Sequence, residues 1–287
     1  MRILVAGSTG FIGSHLLVEL LLAGHEVLAV RRPGSGTVIP LEQQPIWLEH
    51  SLLDLTAEDL DEVEVVILLA SSGVPPKHAS WKELEHINVA AGLQLIQLAY
   101  QAGVRRFVAA GTCVEYGSEA DLWDHIPPSA PLRPITPYGA SKAAGFLMLH
   151  TFAINHPIEL FYGRIFSAYG NGQFSGNFWP SLRLAALTGR DFPMTHGDQI
   201  RDFIPVTHVA RHLRIATERS DLKPANPLVV NIGSGQGQRV LDFARQQWQE
   251  LGGTGSLKPD EIPFPQGQLT RLVADTVHLV PATLEKS

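Results

Sequence analysis

An α/β architecture, a doubly wound parallel sheet with a smaller C-terminal lobe, follows from three features of the sequence. Short aliphatic runs alternate with helical stretches, the runs are apolar at nearly every position, and a glycine-spaced turn joins the first run to the first helix. Strands of a parallel sheet covered on both faces read as near-continuous apolar runs because neither side meets water. The chain has 287 residues, 45% apolar and 17% charged, which suits one large compact domain with an added lobe.

In chain order, Arg2 to Ala6 (RILVA) predicts the first strand, Phe11 to Ala23 a helix and Glu26 to Val30 the second strand. Val63 to Ala70, Arg105 to Ala110, Ile158 to Arg164 and Leu228 to Ile232 repeat the strand type, with long helices over Trp81 to Gln101 and Tyr138 to His156. After about Ala168 the pattern breaks into Gly- and Pro-punctuated pieces. Amphipathic helices are expected there near Phe178 to Thr188, Val206 to Glu218 and Val240 to Leu251. The division is therefore 1–168 and 169–287, with about 203–240 returning to the first unit.

A net charge of −6 offers no overall attraction to phosphate backbones or anionic lipid, so neither a nucleic-acid nor a membrane partner is expected. The single cysteine, Cys113, can form neither an internal disulfide nor a CxxC metal site; no metal is expected, and the expected location is cytoplasmic. Met1 to Ala23 is apolar enough to imitate a signal peptide. Glu19, His15 and the glycine break divide it into pieces too short for a bilayer, so it reads as soluble core.

Gly7, Gly10 and Gly13 lie between the first strand and the first helix. A glycine ending a strand permits a tight turn, the next lets backbone approach a pyrophosphate, and the third lets helix and strand pack closely, with the helix N-terminus facing the anion. At the end of the second strand, an acid would accept hydrogen bonds from a free ribose 2′-hydroxyl. The strand runs instead into Arg31 and Arg32. Two guanidiniums there predict a 2′-phosphate partner, hence NADP(H) rather than NAD(H). Tyr138 and Lys142, four apart at a helix start, share one face; an ammonium beside a phenol favours the phenolate and draws the tyrosine pKa toward the working pH. Thr112, at the end of the fifth strand, supplies a hydroxyl able to hold the same oxygen.

These segments, with Asn88, Gly111-Thr-Cys-Val-Glu-Tyr-Gly117, Arg164-Ile-Phe-Ser-Ala-Tyr-Gly170, Gln199-Ile-Arg-Asp-Phe203 and Asn231-Ile-Gly-Ser-Gly235, resemble the extended short-chain dehydrogenase/reductases of the nucleotide-sugar epimerase/dehydratase group over nearly the whole chain. The resemblance implies a Rossmann-like fold, with Thr112, Tyr138 and Lys142 as catalytic residues and Asn88 as a helix-breaking asparagine that supports the lysine. It implies cofactor contacts at Gly7, Thr9, Gly10, Phe11, Ile12 and Gly13, at Arg31 and Arg32, at Ser51 and Leu52, at Leu69 and Ala70, and at Asn88, Tyr138, Lys142 and Phe166. Substrate contacts are implied at Ser71, Thr112, Cys113 and Ser167. Asn177 and Phe178 match the stretch on the base side of a nucleotide sugar, and Arg201 and Arg271 match two arginines reaching its diphosphate. A homodimer through the two long helices is also implied.

Dehydratases of the group carry an Asp-Glu pair after the catalytic hydroxyl, where this chain has Cys113 and Val114. Without those carboxylates water elimination lacks its acid and base. The segments GTCVEYG, GDQIRDFIPV and NIGSGQGQRVLDF look most like 4-ketoreductases of the CDP-abequose synthase type, and Arg31 suggests a cofactor exchanged as NADPH. The expected function is NADPH-dependent reduction of a nucleotide-linked 4-keto-6-deoxyhexose. A nucleotide-sugar 4-epimerase holding its NAD(P) tightly and a non-catalytic NADP-binding sensor are the alternatives.

Overall fold

The computed structural model describes residues 1–74, 79–263 and 269–279. Seven parallel strands form its centre: β1 (Arg2–Ala6), β2 (Glu26–Arg31), β3 (Ile46–Glu49), β4 (Val65–Leu68), β5 (Arg106–Thr112), β6 (Glu159–Ile165) and, later in the chain, β10 (Leu228–Ile232). Their spatial order is β10-β6-β5-β4-β1-β2-β3. The chain winds outward one way from β1 and the other way from β4, so a crevice opens at the carboxyl ends of these two neighbours, where open α/β sheets bind ligands.

Alternate side chains leave a strand on opposite faces, and each face is covered by helices. On one face α1 (Phe11–Leu22) and α6 (Val206–Glu218) set Leu16, Leu17, Leu20, Val209 and Leu213 against Ile3, Val5 and Val27. On the other, α3 (Gly92–Gln101) and α4 (Pro137–Asn155) set Leu95, Ile96, Phe146 and Leu149 against Leu4, Leu28, Val66 and Phe107. Both α6 and β10 therefore lie with the large sheet.

A second core forms where α5 (Phe178–Leu187), β8 (Phe192–Pro193), α7 (Val240–Glu250) and β12 (Leu257–Lys258) enclose Leu182, Ala185, Phe192, Met194, Leu241 and Trp248. Between the two cores, β7 (Ser167–Tyr169), β9 (Ile200–Pro205), β11 (Gly237–Arg239) and β13 (Arg271–Leu272) make a small sheet in which β9 pairs with each of the others. Its centre is pinned by Asp202. That buried carboxylate accepts from the Ser234 N–H and hydroxyl at 2.7 and 2.6 Å, from the Gly235 N–H at 3.0 Å and from the Ala274 N–H at 3.1 Å.

Two elements differ from the sequence expectation. Strand β3 was not anticipated: IWLE has only one surface paired, against β2, and at the sheet edge it keeps Glu49 and part of Trp47 in solvent. The expected helix over Trp81 to Gln101 is interrupted. α2 (Trp81–Glu85) gives way to a π-helical turn at His86–Ala91 before α3. Asn88 occupies that turn, and α4 approaches it so closely that a Cβ on Gly145 would lie 2.2 Å from the Asn88 carbonyl oxygen.

Candidate active site

The glycine turn ends β1 and opens α1. Gly7 has φ +88, and a Cβ there would stand 2.6 Å from the Ala70 nitrogen; a Cβ on Gly13 would stand 2.1 Å from the Gly7 carbonyl oxygen. No side chain therefore fits at either position, while Leu69 and Ala70 wall the turn. Gly10 is the N-cap of α1, with no side-chain cap and no acidic residue in the first turn. Thr9, Phe11 and Ile12 are half-buried around it. Uncapped N–H groups at a helix start favour an anion, and this donor set fits the pyrophosphate of a dinucleotide.

At the adenosine end, the parallel register pairs Arg31, the last residue of β2, with Glu49 at the end of β3. Arg31 donates through Nε and Nη2 to Glu49 Oε1, the former at 3.1 Å, and its guanidinium lies 4.4 Å over the Trp47 ring. The sequence reading found no carboxylate after the second strand; the neighbouring strand supplies one. Arg31 is thus a compensated cation rather than a free one, and this corrects the basis for expecting a 2′-phosphate. Arg32 is exposed in a turn closed by Ser35, whose N–H donates to the Arg32 carbonyl at 3.0 Å. Ser51 precedes a 3₁₀ turn, and Leu52 lines a small cavity with Ala70, Asn88, Lys142 and Tyr162.

Thr112 ends β5 and caps the 3₁₀ turn that follows, its Oγ accepting from the Val114 N–H at 3.4 Å. Glu115 closes the reciprocal half, with Oε1 accepting from the Thr112 N–H at 2.8 Å. Fully buried, Glu115 also accepts from Tyr162 Oη at 2.9 Å and from Arg164 Nε at 2.7 Å. Arg164, 1% exposed, lies over the Phe146 ring at 4.3 Å and donates to Tyr116 Oη and to the Pro128 carbonyl. This buried ion pair underlies the Thr112 hydroxyl. Its two members lie 49 positions apart, so no local signal in the sequence pairs them.

Tyr138 stands in the first turn of α4, where Thr136 caps the helix by accepting from the Gly139 N–H at 3.0 Å. Burial pushes its phenol up to about 12, against a lowering hydrogen bond with Ser71. Lys142 follows one turn further along α4. Its Nζ donates to the Ala110 carbonyl at 2.8 Å, and burial holds the ammonium below its ordinary range. The Tyr138 phenol therefore stands above its ordinary value rather than below it as expected, because burial is the largest influence on it. Asn88 sits in the π-helical turn that interrupts the expected helix. It accepts from Ser71 Oγ and the Ser72 N–H, and donates to the Ser72 carbonyl and to Ser141 Oγ at 2.8 Å, so it ties the turn after β4 to α4, and it lines the same small cavity as Lys142.

Cys113, expected on the substrate side, and Phe166, expected at the cofactor, are buried in one apolar cluster, and burial raises the Cys113 thiol to about 12. Ser167 begins β7 and is half-buried. Asn177 caps α5 without a side-chain bond, whereas the Phe178 ring stands 5.7 Å from Phe192 at the edge of the second core. The Arg201 guanidinium donates to the Ile200 and Leu269 carbonyls, has no carboxylate within ion-pair distance among the described residues, and is lowered by burial. It is poised for an anion. Arg271 is not its twin. The β9–β13 register sets Arg271 beside Ile200 and Leu272 beside Arg201, which sends the two arginines to opposite faces, and Arg271 Nε is held by the Asp124 carbonyl at 2.8 Å. Arg201 and Arg271, the two arginines expected at a diphosphate, thus leave opposite faces of the small sheet.

A parallel sheet with this glycine turn at its switch point defines the dinucleotide-binding α/β class. Within that class, the chain belongs to the NAD dependent epimerase/dehydratase family, whose description matches residues 3–233. It is 28% identical to UDP-glucuronic acid decarboxylase 1 of Xenopus tropicalis over 89% of this chain and 62% of the relative. With the UDP-glucose 4-epimerase of Azospirillum brasilense it shares 29% identity over 85% of this chain and 76% of that one. Among solved structures, TunA, described as an NAD dependent NDP-hexosamine 5,6-dehydratase involved in tunicamycin biosynthesis, superposes with a TM-score of 0.80 at 32% identity, covering 96% of this chain and 89% of TunA. The chain spans about three fifths of the length of UDP-glucuronic acid decarboxylase 1 from Xenopus tropicalis and from Danio rerio, 62% and 59%.

Proposed function

We propose that the chain transfers hydride between C4 of a nucleotide-linked hexose and a bound nicotinamide dinucleotide. The observation that carries this reading is that Thr112 ends β5 while, at the start of α4, Lys142 donates to the Ala110 carbonyl two residues before it and Tyr138 bonds Ser71 just after β4, at the carboxyl ends of the strands, where the glycine turn also lies. The bound nicotinamide supplies the hydride acceptor or donor. Tyr138 Oη moves the proton at the sugar O4, the Thr112 hydroxyl orients that oxygen, Lys142 sits where it can hold the cofactor's ribose, and Arg201 takes the diphosphate.

Two directions are open to the same residues. Redox-neutral 4-epimerisation with NAD(H) is favoured by the Arg31–Glu49 pair, which removes the reason to expect an exchanged NADPH, and by the 4-epimerases among the relatives. Reduction of a 4-keto-6-deoxyhexose is favoured by the Tyr138 phenol, which burial keeps protonated and thus ready to give a proton to a carbonyl oxygen. Stoichiometry separates them. An epimerase interconverts C4 epimers of a nucleotide hexose with no net change at the nicotinamide absorbance band, whereas a reductase consumes one reduced cofactor per sugar. Failure of the chain to act on any nucleotide sugar in either assay, with dinucleotide bound, would leave the sensor reading. The homodimer is supported by Leu147, Met148 and Ile154, exposed on α4, and is tested by light scattering.

A further inference from the structure

The carboxyl end of β3 carries a charge arrangement that the proposed chemistry does not use. Arg31 is pinned by strand register to Glu49, by two donors to one carboxylate oxygen, and by stacking on Trp47, whose Nε1 is itself fixed on Gln44 Oε1 at 3.2 Å. Both arginine contacts fall on Oε1 of Glu49, so Oε2 accepts no hydrogen bond among the described residues. The Glu49 side chain is 50% exposed and stands two strands from β1, whose end is the glycine turn, with β2 between them; Ser8 in that turn donates to the Val30 carbonyl at 2.7 Å, which locks the turn to the end of β2.

We propose that Glu49 is the residue that sets cofactor choice: it compensates Arg31 and offers Oε2 to a ribose hydroxyl, so the site takes a free 2′-hydroxyl and rejects a 2′-phosphate. The inference rests on the dinucleotide reading above and deepens it. A 2′-phosphate brought to the end of β2 meets the Glu49 carboxylate, a like charge, beside an Arg31 already paired with it, and only the exposed Arg32 in the following turn carries no carboxylate partner among the described residues. To serve it, Arg31 has to leave both Glu49 and the Trp47 face. A ribose hydroxyl, by contrast, is a donor and finds an acceptor. The carboxylate that such sites commonly place at the end of the second strand is here delivered from the third, one step across the ladder.

The test is direct binding of NADH and NADPH, followed by nicotinamide fluorescence, to the unaltered chain, to Glu49→Gln, and to Glu49→Gln combined with Arg31→Met. Because the pair lies at a partly exposed sheet edge and glutamine is nearly isosteric, folding is expected to survive. The unaltered chain should bind NADH about tenfold or more tighter than NADPH. Glu49→Gln should tighten NADPH about tenfold while NADH stays within a few-fold, and the double variant should lose that gain. Equal affinity for the two cofactors in the unaltered chain, or a ratio that Glu49→Gln leaves unchanged, overturns the proposal while the dinucleotide reading stands. Binding of neither cofactor overturns that reading and the proposal with it.

Discussion

Around the reacting position, three side chains are each set by a different kind of force. Tyr138 is desolvated, Lys142 is held on a strand carbonyl, and Thr112 is fixed through its own backbone N–H by a buried carboxylate. The Glu115–Arg164 pair costs desolvation on both partners, and it returns this only because every oxygen of Glu115 is bonded and Arg164 is enclosed by Tyr116, Tyr162 and Phe146. Such a pair gives position rather than net stability: it aims Thr112 from below. Tyr138→Phe keeps the ring and its packing but removes the proton, so kcat should fall by ~10²–10⁴-fold with cofactor and sugar-nucleotide affinity little changed. Single-turnover hydride transfer measures it, and a variant retaining most of its rate would sink the assignment of Tyr138.

Elements whose partners are near in sequence were legible. The apolar run RILVA with its glycine turn, and the helix Val206–Glu218 with apolar residues on one stripe, are written in local pattern. What was not legible depends on strands meeting across the fold. β3 reads as surface until β2 pairs with it, which is why Glu49 escaped notice, and Arg271 could not be separated from Arg201 until the β9–β13 register was known. Asp202 is the same kind of residue: as one letter of an RDF motif it says little, yet it ties β9 to the turn after β10 and to the segment after β13. Asp202→Asn presents an amide where buried N–H groups need acceptors. It should cost ~2–4 kcal/mol in urea unfolding and release the Ser234, Gly235 and Ala274 amides to faster hydrogen exchange. Unchanged exchange at those three amides would show that the clip does not hold the small sheet.

Taken as a whole, the molecule places several weak acids in its interior near one another, and they act together on stability. Burial raises the Tyr116 and Tyr138 phenols from 10.0 to about 12, the Cys113 thiol from 9.0 to about 12, and the Tyr162 phenol well above 10.0. A group whose folded pKa lies above its unfolded value holds its proton longer in the native state. The stability it contributes is complete below the unfolded value and is lost as pH rises through the folded one. For all four groups the window opens between about pH 9 and 10 and extends to about pH 12 or beyond, and all four slopes have the same sign. At about 1.4 kcal/mol per pKa unit, even part of these shifts amounts to several kcal/mol, comparable with the whole stability of a typical domain. The urea midpoint should therefore fall steeply from about pH 9 upward, and more shallowly in Tyr116→Phe, which removes one titrating group from the set while losing the Tyr116 Oη bond to Asn231. A midpoint that stays level through this window would mean that these hydroxyls ionise as easily in the folded chain as in the unfolded one, and so that the region behind Thr112 is open to water.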